Sequence, residues 1–509
     1  MFTKINTVSL TGLDGIIVEI QTDISNGLVA FDIIGLPDTT VKEARERAKA
    51  SIKNCGCEYP KKRITMNLAP ASLKKEGSSF DLAITVSILD ASKQIDVSDR
   101  ESAIFLGELA LDGTVKPIRG VLPMVISAYE HGFKKCFVPS DNAKEAAVIE
   151  GIEIYPVTTL NDIIDHYDGI TLITPQENDI SFLDTAIRIT ASDMQDVKGQ
   201  EQAKRAIEVA ASGSHNILMT GPAGTGKSML AKRLGGILPD MTFPEILEVT
   251  KLHSISGNLP KDTPLITQRP FRSPHHSVSA NALSGGGTIP KPGELSLAHC
   301  GVLFLDELPE FHRDTLEVLR QPLEDGVITI SRVNASISYP CNIMLVAAMN
   351  PCPCGNYGNP NKPCICTPSQ VHRYRSRISG PLLDRIDIHI EVPPVTYDDL
   401  SQVPLGDKSI DIRKRVNEAR KLQIERYKSD GITSNSQLTA PMLDKYCKLG
   451  ETESTLLKSA FDRLGLSARS HNKILKVART IADLDKSDDI KTTHIAEAIQ
   501  YRNIDRFGY

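Results

Sequence analysis

One stretch of the chain has the residue types and the spacing of a phosphate-binding loop. Residues 221–228 fit the pattern G-x-x-x-x-G-K-S. Its glycines let the backbone turn N–H groups toward phosphate oxygens, its lysine can reach the β- and γ-phosphates, and its serine hydroxyl can ligate Mg²⁺. The sequence therefore predicts a nucleotide and Mg²⁺ site formed by Gly221, Pro222, Ala223, Gly224, Thr225, Gly226, Lys227 and Ser228.

The segments on either side have the periodicity that such a loop needs. Residues 216–220 form a short, mostly apolar run typical of a buried strand, and residues 229–234 have helical spacing. A helix that begins near Lys227 would also direct the positive end of its dipole at the phosphates. A chance glycine-rich turn is the alternative, and the strand and helix patterns argue against it.

Two further apolar runs end in polar side chains. Residues 302–305 are followed by Asp306 and Glu307, and residues 343–349 are followed by Asn350. Asp306 would hold the Mg²⁺ through water, Glu307 would act as the general base on the attacking water, and Asn350 would orient that water. Carboxylates that end a buried strand are costly unless they face a ligand or a partner, so a structural role is the weaker alternative.

The order of phosphate loop, Asp-Glu strand, Asn strand and then an arginine resembles that of the AAA+ ATPases. The resemblance implies that Arg385 reaches the γ-phosphate bound to the neighbouring subunit of a ring. It also implies that Val197 and Gly199, in the turn before the loop, pack against the adenine. From the residues alone, Arg385 can equally form a surface ion pair with Asp384 or Asp387.

Four cysteines follow Asn350 in a pattern of C-x-C, nine residues and C-x-C. Cys352, Cys354, Cys364 and Cys366 are close enough in sequence to form a tetrahedral thiolate site, which suits a structural Zn²⁺. The spacing differs from the familiar C-x₂-C pattern. Four reduced thiols on a loop therefore remain an open alternative.

The first part of the chain mixes strand-like runs with helical stretches. It resembles the Lon-protease domain, an α+β fold of the ribosomal S5 domain 2 type. The resemblance places Ser79 where that family has its nucleophile, and it places the catalytic lysine at Leu122 or Pro123. Neither residue can activate a serine, so we expect the fold without the protease activity. Ser79 is then a helix cap or a turn residue.

Residues 327–339 alternate about a short turn at 332–335, which predicts a β-hairpin. In related helicases a hairpin at this place projects into the central channel, where Arg332 could contact DNA phosphates. An ordinary surface hairpin is an equally open interpretation. His275 and His276, in an insert before the Asp-Glu strand, are further candidates for DNA contacts or for structural roles.

Length and composition bound the architecture. A chain of 509 residues is too long for one core and predicts a multidomain α/β protein. We expect a Lon-like domain at 1–168, a linker at 169–190, an AAA+ core at 191–395 and a helical lid at 396–509. The lid is predicted from five helical segments, and Arg469 lies at the start of the fourth.

Composition also argues against several classes of protein. No apolar run reaches the ~18 residues of a membrane span, and the first residues lack a signal-peptide pattern, so we expect a cytoplasmic protein without a membrane partner. Ten cysteines in a chain of this length do not suggest a disulfide scaffold. The net charge of −5 disfavours a wholly basic nucleic-acid binder but allows a local basic channel.

Three inserts indicate a more specific family within the AAA+ ATPases. They lie at residues 270–287, 292–299 and 350–355. With the Lon-like segment, they make the chain similar to the ComM/YifB family of magnesium-chelatase-like AAA+ proteins. The resemblance implies a homo-hexameric, ATP-driven helicase that branch-migrates DNA in natural transformation or recombination. Its partners would be single-stranded or branched DNA and recombination proteins. Arg469 would meet nucleotide phosphates, in its own or a neighbouring subunit, with a surface contact as the alternative.

Three other functions are compatible with parts of this pattern. A chelatase or MoxR-like protein-remodelling ATPase would use the same nucleotide site. A Lon-like peptidase is opposed by the missing lysine. A nucleotide switch without turnover is opposed by the joint presence of Asp306, Glu307, Asn350 and Arg385.

Overall fold

Strands and helices alternate along most of this chain, as its apolar periodicity predicts. The computed structural model describes residues 1–178, 193–260, 263–287, 290–332, 335–359, 362–395 and 406–502. The chain folds as two units. The first unit comprises Met1–Ala186 and Phe243–Thr267, and the second comprises Ile187–Thr242 and Gln268–Tyr509.

The strands of the described residues are β1 (Phe2–Thr11), β2 (Asp14–Ser25), β3 (Ala30–Ile34), β4 (Arg63–Ala69), β5 (Ala103–Phe105), β6 (Glu108–Leu109), β7 (Val115–Lys116), β8 (Lys135–Pro139), β9 (Glu153–Val157), β10 (Ile217–Thr220), β11 (Phe271–Arg272), β12 (Gly285–Gly286), β13 (Lys291–Pro292), β14 (Val302–Leu305), β15 (Val327–Arg332), β16 (Ala335–Pro340), β17 (Met344–Met349) and β18 (Ile388–Glu391).

The helices of the same residues are α1 (Thr39–Asn54), α2 (Asp81–Ala91), α3 (Val121–Glu130), α4 (Ala143–Ala146), α5 (Leu160–Tyr167), α6 (Glu201–Gly213), α7 (Lys227–Leu234), α8 (Phe243–Ser256), α9 (Ala280–Ser284), α10 (Glu294–Leu297), α11 (Arg313–Glu317), α12 (Pro322–Asp325), α13 (Pro368–Arg375), α14 (Gly380–Leu383), α15 (Ser409–Arg426), α16 (Ala440–Tyr446), α17 (Glu451–Leu464), α18 (Ala468–Leu484) and α19 (Thr492–Gln500).

The first unit is built on a mixed seven-stranded sheet in the order β3-β4-β2-β1-β5-β8-β9. Strand β2 buries every second residue along its later half, which is the pattern of a strand with one face on a core. All residues of α2 are buried, including Asp81. Arg47 donates to both carboxylate oxygens of Asp81 at 2.6 and 2.9 Å, so this buried charge is paired.

The second unit is built on a parallel five-stranded sheet in the order β11-β14-β17-β10-β18. Every residue of β10, β14 and β17 is buried. Continuous apolar runs of this kind are typical of parallel strands that are covered on both faces. In the described residues five helices, α15 to α19, follow in the same unit, so the predicted helical C-terminal region is confirmed.

The two units divide the chain differently from the predicted domains. Residues 243–267 interrupt the second unit in sequence but pack with the first. The helices after residue 396 belong to one unit with the parallel sheet. Part of the predicted linker, at 179–190, lies outside the described residues. Among the helices that are described, none is long and apolar enough to cross a membrane.

A buried polar network joins the helices to the sheet in the second unit. The His215 ring bonds to Asp387 Oδ2 at 3.1 Å and to Thr480 Oγ1 at 2.7 Å. Burial alone would raise the pKa of Asp387, but Lys473 and the His215 hydrogen bond hold that pKa below its ordinary value. Asn435 donates to Thr480 at 2.9 Å and to Asp483 at 2.8 Å, which extends the network along α18.

Asp483 is the carboxylate on which this network depends. Its side chain has no exposed area, and it accepts hydrogen bonds from Arg426 at 2.6 Å and Arg479 at 3.1 Å. We expect Asp483→Asn to destabilise the second unit by about 3 kcal/mol, because two guanidinium groups would lose their buried counter-charge. Urea unfolding should show this loss, whereas Asp489→Asn, at an exposed position in the bend after α18, should unfold like the wild type. Equal urea midpoints for the two variants would contradict the stabilising role of Asp483.

Candidate active site

The phosphate loop lies between β10 and α7, as predicted. Gly224 and Gly226 have φ values of +81° and +90°, in the left-handed region that favours glycine. A Cβ added at Gly221 would lie 2.3 Å from the carbonyl oxygen of Val392. The loop therefore needs glycine at these three positions, two for conformation and one for space.

Lys227, the first residue of α7, points back into the loop. Its Nζ donates to the carbonyl oxygens of Gly221 at 2.7 Å and Pro222 at 2.8 Å, and it lies 3.3 Å from Asn350 Oδ1. The side chain is buried, and burial lowers the pKa of Lys227. The ammonium group thus joins the loop to the residue that follows the neighbouring strand β17.

Ser228 and Asp306 meet across two elements. The Ser228 hydroxyl donates to Asp306 Oδ2 at 2.5 Å, which brings the start of α7 to the end of β14. A hydroxyl and a carboxylate are hard oxygen ligands of the kind that Mg²⁺ takes, usually with several waters retained. These two residues therefore fit the predicted metal, which they would bind together.

Glu307 follows Asp306 in a strained backbone conformation. Its φ is +53°, and its N–H donates to Asp306 Oδ1 at 3.0 Å. A non-glycine residue with positive φ costs free energy and is common at active sites. The carboxylate is half exposed, with His276 Nδ1 3.7 Å from its Oε2. A carboxylate that extends from the sheet edge in this way can accept a proton from water.

The turn before the phosphate loop packs against the helix that follows the loop. Arg233 of α7 donates from Nε to the carbonyl oxygen of Asp193 at 2.7 Å. Val197 is buried, and Gly199 has a φ of +64°. Contact of Val197 and Gly199 with an adenine ring stays a prediction.

Arg385 lies at the other edge of the same sheet. Asn216, the residue before β10, donates from Nδ2 to the carbonyl oxygen of Arg385 at 3.0 Å. Because β10 runs from there to the phosphate loop, about 13 Å of strand separates the two ends. The guanidinium bonds to Glu324 and to the carbonyl oxygen of Arg320. Among the described contacts its ion-pair partner is Glu324, rather than either of the aspartates considered from sequence.

Arg469 lies near Arg385. It is the second residue of α18, which Ser467 caps, and its Nη1 lies 3.7 Å from Asp384 Oδ2. The side chain is 67 % exposed. Both arginines line a groove of about 600 Å³ that also contains Lys473 and Lys476. Glu324, Asp325, Asp384 and Asp387 line the same groove, so charges of both signs lie at the sheet edge opposite to the phosphate loop.

The four predicted metal-ligating cysteines come together. The Sγ atom of Cys352 lies 3.4 Å from that of Cys354 and 3.6 Å from that of Cys364, and ligand atoms of all four, including Cys366, lie within 4.8 Å of one another. Backbone hydrogen bonds, from Asn356 above all, lower the pKa of Cys354 to about 6. The cluster can hold a metal ion.

The candidate DNA contacts are only partly described. Strands β15 and β16 pair antiparallel as a hairpin, with Thr329 and Ser338 bonded at 2.9 Å on an exposed face. Val333, Asn334 and the side chain of Arg332 lie outside the described residues. The rings of His275 and His276 lie 4.0 Å apart. DNA contacts by Arg332, His275 and His276 stay predictions.

In the first unit, Ser79 is a turn residue just before α2. Its carbonyl oxygen accepts from the Gly107 N–H at 3.1 Å. Leu122 and Pro123 are buried in the first turn of α3. The absence of peptidase activity stays a prediction.

Several features of the site had no signal in the sequence. The contacts of Glu324 with Arg385 and of His276 with Glu307 join residues that are far apart in the chain. The same is true of Gly355, at which an added Cβ would lie 3.3 Å from Ala223 Cβ. The insert around residue 275 and the cysteine spacing around residue 355 are the sequence signals that lie near these contacts.

Comparison with known proteins gives matches along most of the chain. Family models match residues 20–142 ("Subunit ChlI of Mg-chelatase"), 193–400 ("Magnesium chelatase, subunit ChlI") and 406–502 ("Magnesium chelatase, subunit ChlI C-terminal"). The competence protein ComM of Haemophilus influenzae is 44% identical over 496 residues, 96% of this chain and 95% of that protein. YifB of Escherichia coli is 44% identical over 505 residues, 99% of this chain and 97% of that protein. Lon protease 2 of Bacillus subtilis is 29% identical over 147 residues, 27% of this chain and 26% of that protein.

The geometry of Lys227 predicts a specific loss. Lys227→Ala should weaken ATP binding by about 30-fold, because a charge-assisted contact to the phosphates is removed. Equilibrium binding of a fluorescent ATP analogue measures this. Lys232→Ala, an exposed lysine on the same helix, should bind ATP like the wild type. Equal affinity of the two variants would contradict the assignment of the loop.

Proposed function

The chain belongs to the ComM/YifB family of magnesium-chelatase-like AAA+ ATPases, and we propose that it is a hexameric motor that hydrolyses ATP to move on DNA. The observation that carries the proposal is the convergence of the predicted catalytic groups. Lys227, Ser228, Asp306 and Asn350 are linked by hydrogen bonds at one edge of a parallel sheet, and Glu307 extends beside them.

The residues of this edge divide the work of hydrolysis. Lys227 and the N–H groups of the loop bind the phosphates, and Ser228 and Asp306 would hold the metal. Mg²⁺ supplies charge neutralisation at the phosphates when it is bound. Glu307 accepts the proton of the attacking water, and Asn350 holds that water in line. Val197 and Gly199 form the adenine side of the site.

The two arginines support action between subunits. Because Arg385 and Arg469 lie at the sheet edge opposite to the phosphate loop, their own nucleotide is at the far end of β10. We infer that both act on the nucleotide of a neighbour, which needs a head-to-tail assembly such as a hexameric ring. In such a ring Glu324 would release Arg385 as the neighbour's phosphate takes its place.

We propose that DNA is the polymer along which the motor moves. The exposed hydroxyl face of the hairpin β15–β16, with Arg332 at its tip, has donors that suit phosphate oxygens. Single-stranded or branched DNA, handled by branch migration in natural transformation or recombination, is the substrate class we infer, with recombination proteins as partners. The relative ComM is named a competence protein, which agrees with this proposal.

We assign residues 1–168 to a Lon-protease-like domain of the ribosomal S5 domain 2 type without peptidase activity. In this assignment residues 169–190 are the linker, 191–395 the AAA+ core and 396–509 the helical lid, and the segment 243–267 of the core sequence packs with the first unit. The partial similarity to Lon proteases and the mixed sheet of the first unit support it. We also infer that the four clustered thiols bind a structural Zn²⁺.

DNA-stimulated hydrolysis is the experiment that tests the proposal. The wild type should hydrolyse ATP faster with forked or four-way DNA, and Glu307→Gln should bind ATP but lose at least about 100-fold in turnover, because an amide cannot accept the proton. Phosphate release measures both. Hydrolysis that no DNA stimulates would favour a protein-remodelling ATPase, and full turnover in Glu307→Gln would remove Glu307 from its role.

Mixed rings test Arg385 in trans. Arg385→Ala and Glu307→Gln proteins should each be inactive alone, but a mixture should recover activity that rises and falls with the mixing ratio. A site is complete where an Arg385→Ala subunit holds ATP beside a Glu307→Gln subunit that supplies the arginine.

A mixture of Lys227→Ala with Glu307→Gln is the matched control. Both of these changes fall on the nucleotide-holding side, so no pairing of neighbours completes a site. Recovery in the control as well, or no recovery in the first mixture when mixed rings are shown to form, would count against action of Arg385 in trans.

A further inference from the structure

The loop that carries the four cysteines lies against the nucleotide site. It runs from Asn350 at the end of β17 to Thr367, the cap of α13. Gly355, between the first two cysteines and Tyr357, has a φ of +76°. An added Cβ there would lie 3.3 Å from Ala223 Cβ in the phosphate loop and 4.0 Å from Asn350 Cγ. The backbone beside one thiol therefore lies close to both the phosphate loop and Asn350, and it leaves little room for a side chain on the side of Ala223.

The loop is attached to the core at its two ends. Its first half is held by Arg375 of α13, whose Nε donates to the carbonyl oxygen of Pro351 at 3.1 Å and whose guanidinium lies 5.1 Å from the ring centre of Tyr357. Its second half has little apolar support in the described residues, since Ile365, its largest apolar side chain there, is 85 % exposed. Hydrophobic packing is therefore not what determines the conformation of this segment.

The thiols are arranged as a ligand set. Sulfur atoms at the corners of a tetrahedron around Zn²⁺, each about 2.3 Å from the ion, lie about 3.8 Å apart. The Sγ–Sγ distances of 3.4 to 3.6 Å among Cys352, Cys354 and Cys364 are within a few tenths of an ångström of that value. The Tyr357 N–H also donates to Cys352 Sγ at 3.3 Å, and a hydrogen bond of this kind orients a metal-bound sulfur.

We propose that Zn²⁺ bound by Cys352, Cys354, Cys364 and Cys366 is required for the geometry of the nucleotide site. The bound ion fixes the loop backbone, which positions Asn350 and lies against Ala223. The proposal rests on the proposed ATPase function. Binding of the ion joins the two halves of the loop, so that the Gly355 contact is maintained. The cysteine residues are positioning residues and do not touch the nucleotide.

Metal content is the first test. Protein purified under reducing conditions should contain one zinc per chain by elemental analysis, and Cys364→Ser and Cys366→Ser should each lose it. Cys57→Ser, a partly buried thiol of the first unit, should keep it. Folded wild-type protein without zinc, or with iron in its place, would overturn the proposal.

The contact itself is tested by two glycines of the same loop. Gly355 and Gly358 have nearly equal φ values, +76° and +75°, so alanine causes similar backbone strain at either position. A Cβ at Gly358 meets nothing within 4 Å, whereas one at Gly355 presses on Ala223. Both variants should keep zinc, but Gly355→Ala should lose about tenfold in turnover at saturating ATP while Gly358→Ala stays within about twofold. Equal turnover of the two variants would overturn the coupling.

Zinc-free Cys364→Ser should lose ATP hydrolysis to a greater extent than ATP binding. Turnover should fall at least about tenfold while ATP affinity changes much less, because Asn350 acts on the water and Lys227 on the phosphates. Hydrogen exchange gives a readout that does not need hydrolysis, since residues 221–226 and 350–355 should exchange faster without zinc. Unchanged exchange and unchanged turnover would overturn the proposal. A zinc-bound wild type that shows this exchange difference but hydrolyses no ATP would instead count against the ATPase function.

Discussion

The buried ammonium group of Lys227 is the interaction on which the arrangement of the second unit's site depends. A buried cation is tolerated only with acceptors around it, and here they are two carbonyl oxygens of the phosphate loop and the amide oxygen of Asn350. The loop cannot open without leaving this charge unpaired, and Asn350 cannot move without losing its partner. Through Asn350 the constraint extends to the cysteine loop, which begins at the next residue.

A parallel sheet gives this unit two chemically different edges. Strands β14, β17 and β10 all end at the edge that carries Asp306, Asn350 and the phosphate loop. The opposite edge carries the groove that Arg385 and Arg469 line. In the proposed function one edge holds the nucleotide and the other completes the site of a neighbour. A subunit of this kind is incomplete by itself, which is the physical reason to expect a closed ring rather than a monomer.

Local features of the fold and site were predictable from sequence, and long-range contacts were not. The phosphate loop, the strands β14 and β17 with their terminal carboxylates and amide, the hairpin and the C-terminal helices each depend on periodicity or on a short motif. Membership of the ComM/YifB family, inferred from motifs, is confirmed. The pairing of Arg385 with Glu324 depends on how α12 and α14 meet, which no local pattern encodes. The packing of α8 with the first unit was missed for the same reason, since it is decided by contacts such as that of Ser254 with Glu145.

The placement of α8 has a consequence for how this protein can be divided. The chain leaves the ATPase unit at residue 243, contributes a helix and a loop to the first unit, and returns at 268. A gene fragment that ends near codon 186 would encode a first unit without α8, in which the buried carboxylate of Glu145 has lost the hydroxyl of Ser254. The two units therefore cannot be separated by a single cut in the chain. A gene exchange that keeps the first unit whole must carry the segment at 243–267 along with it.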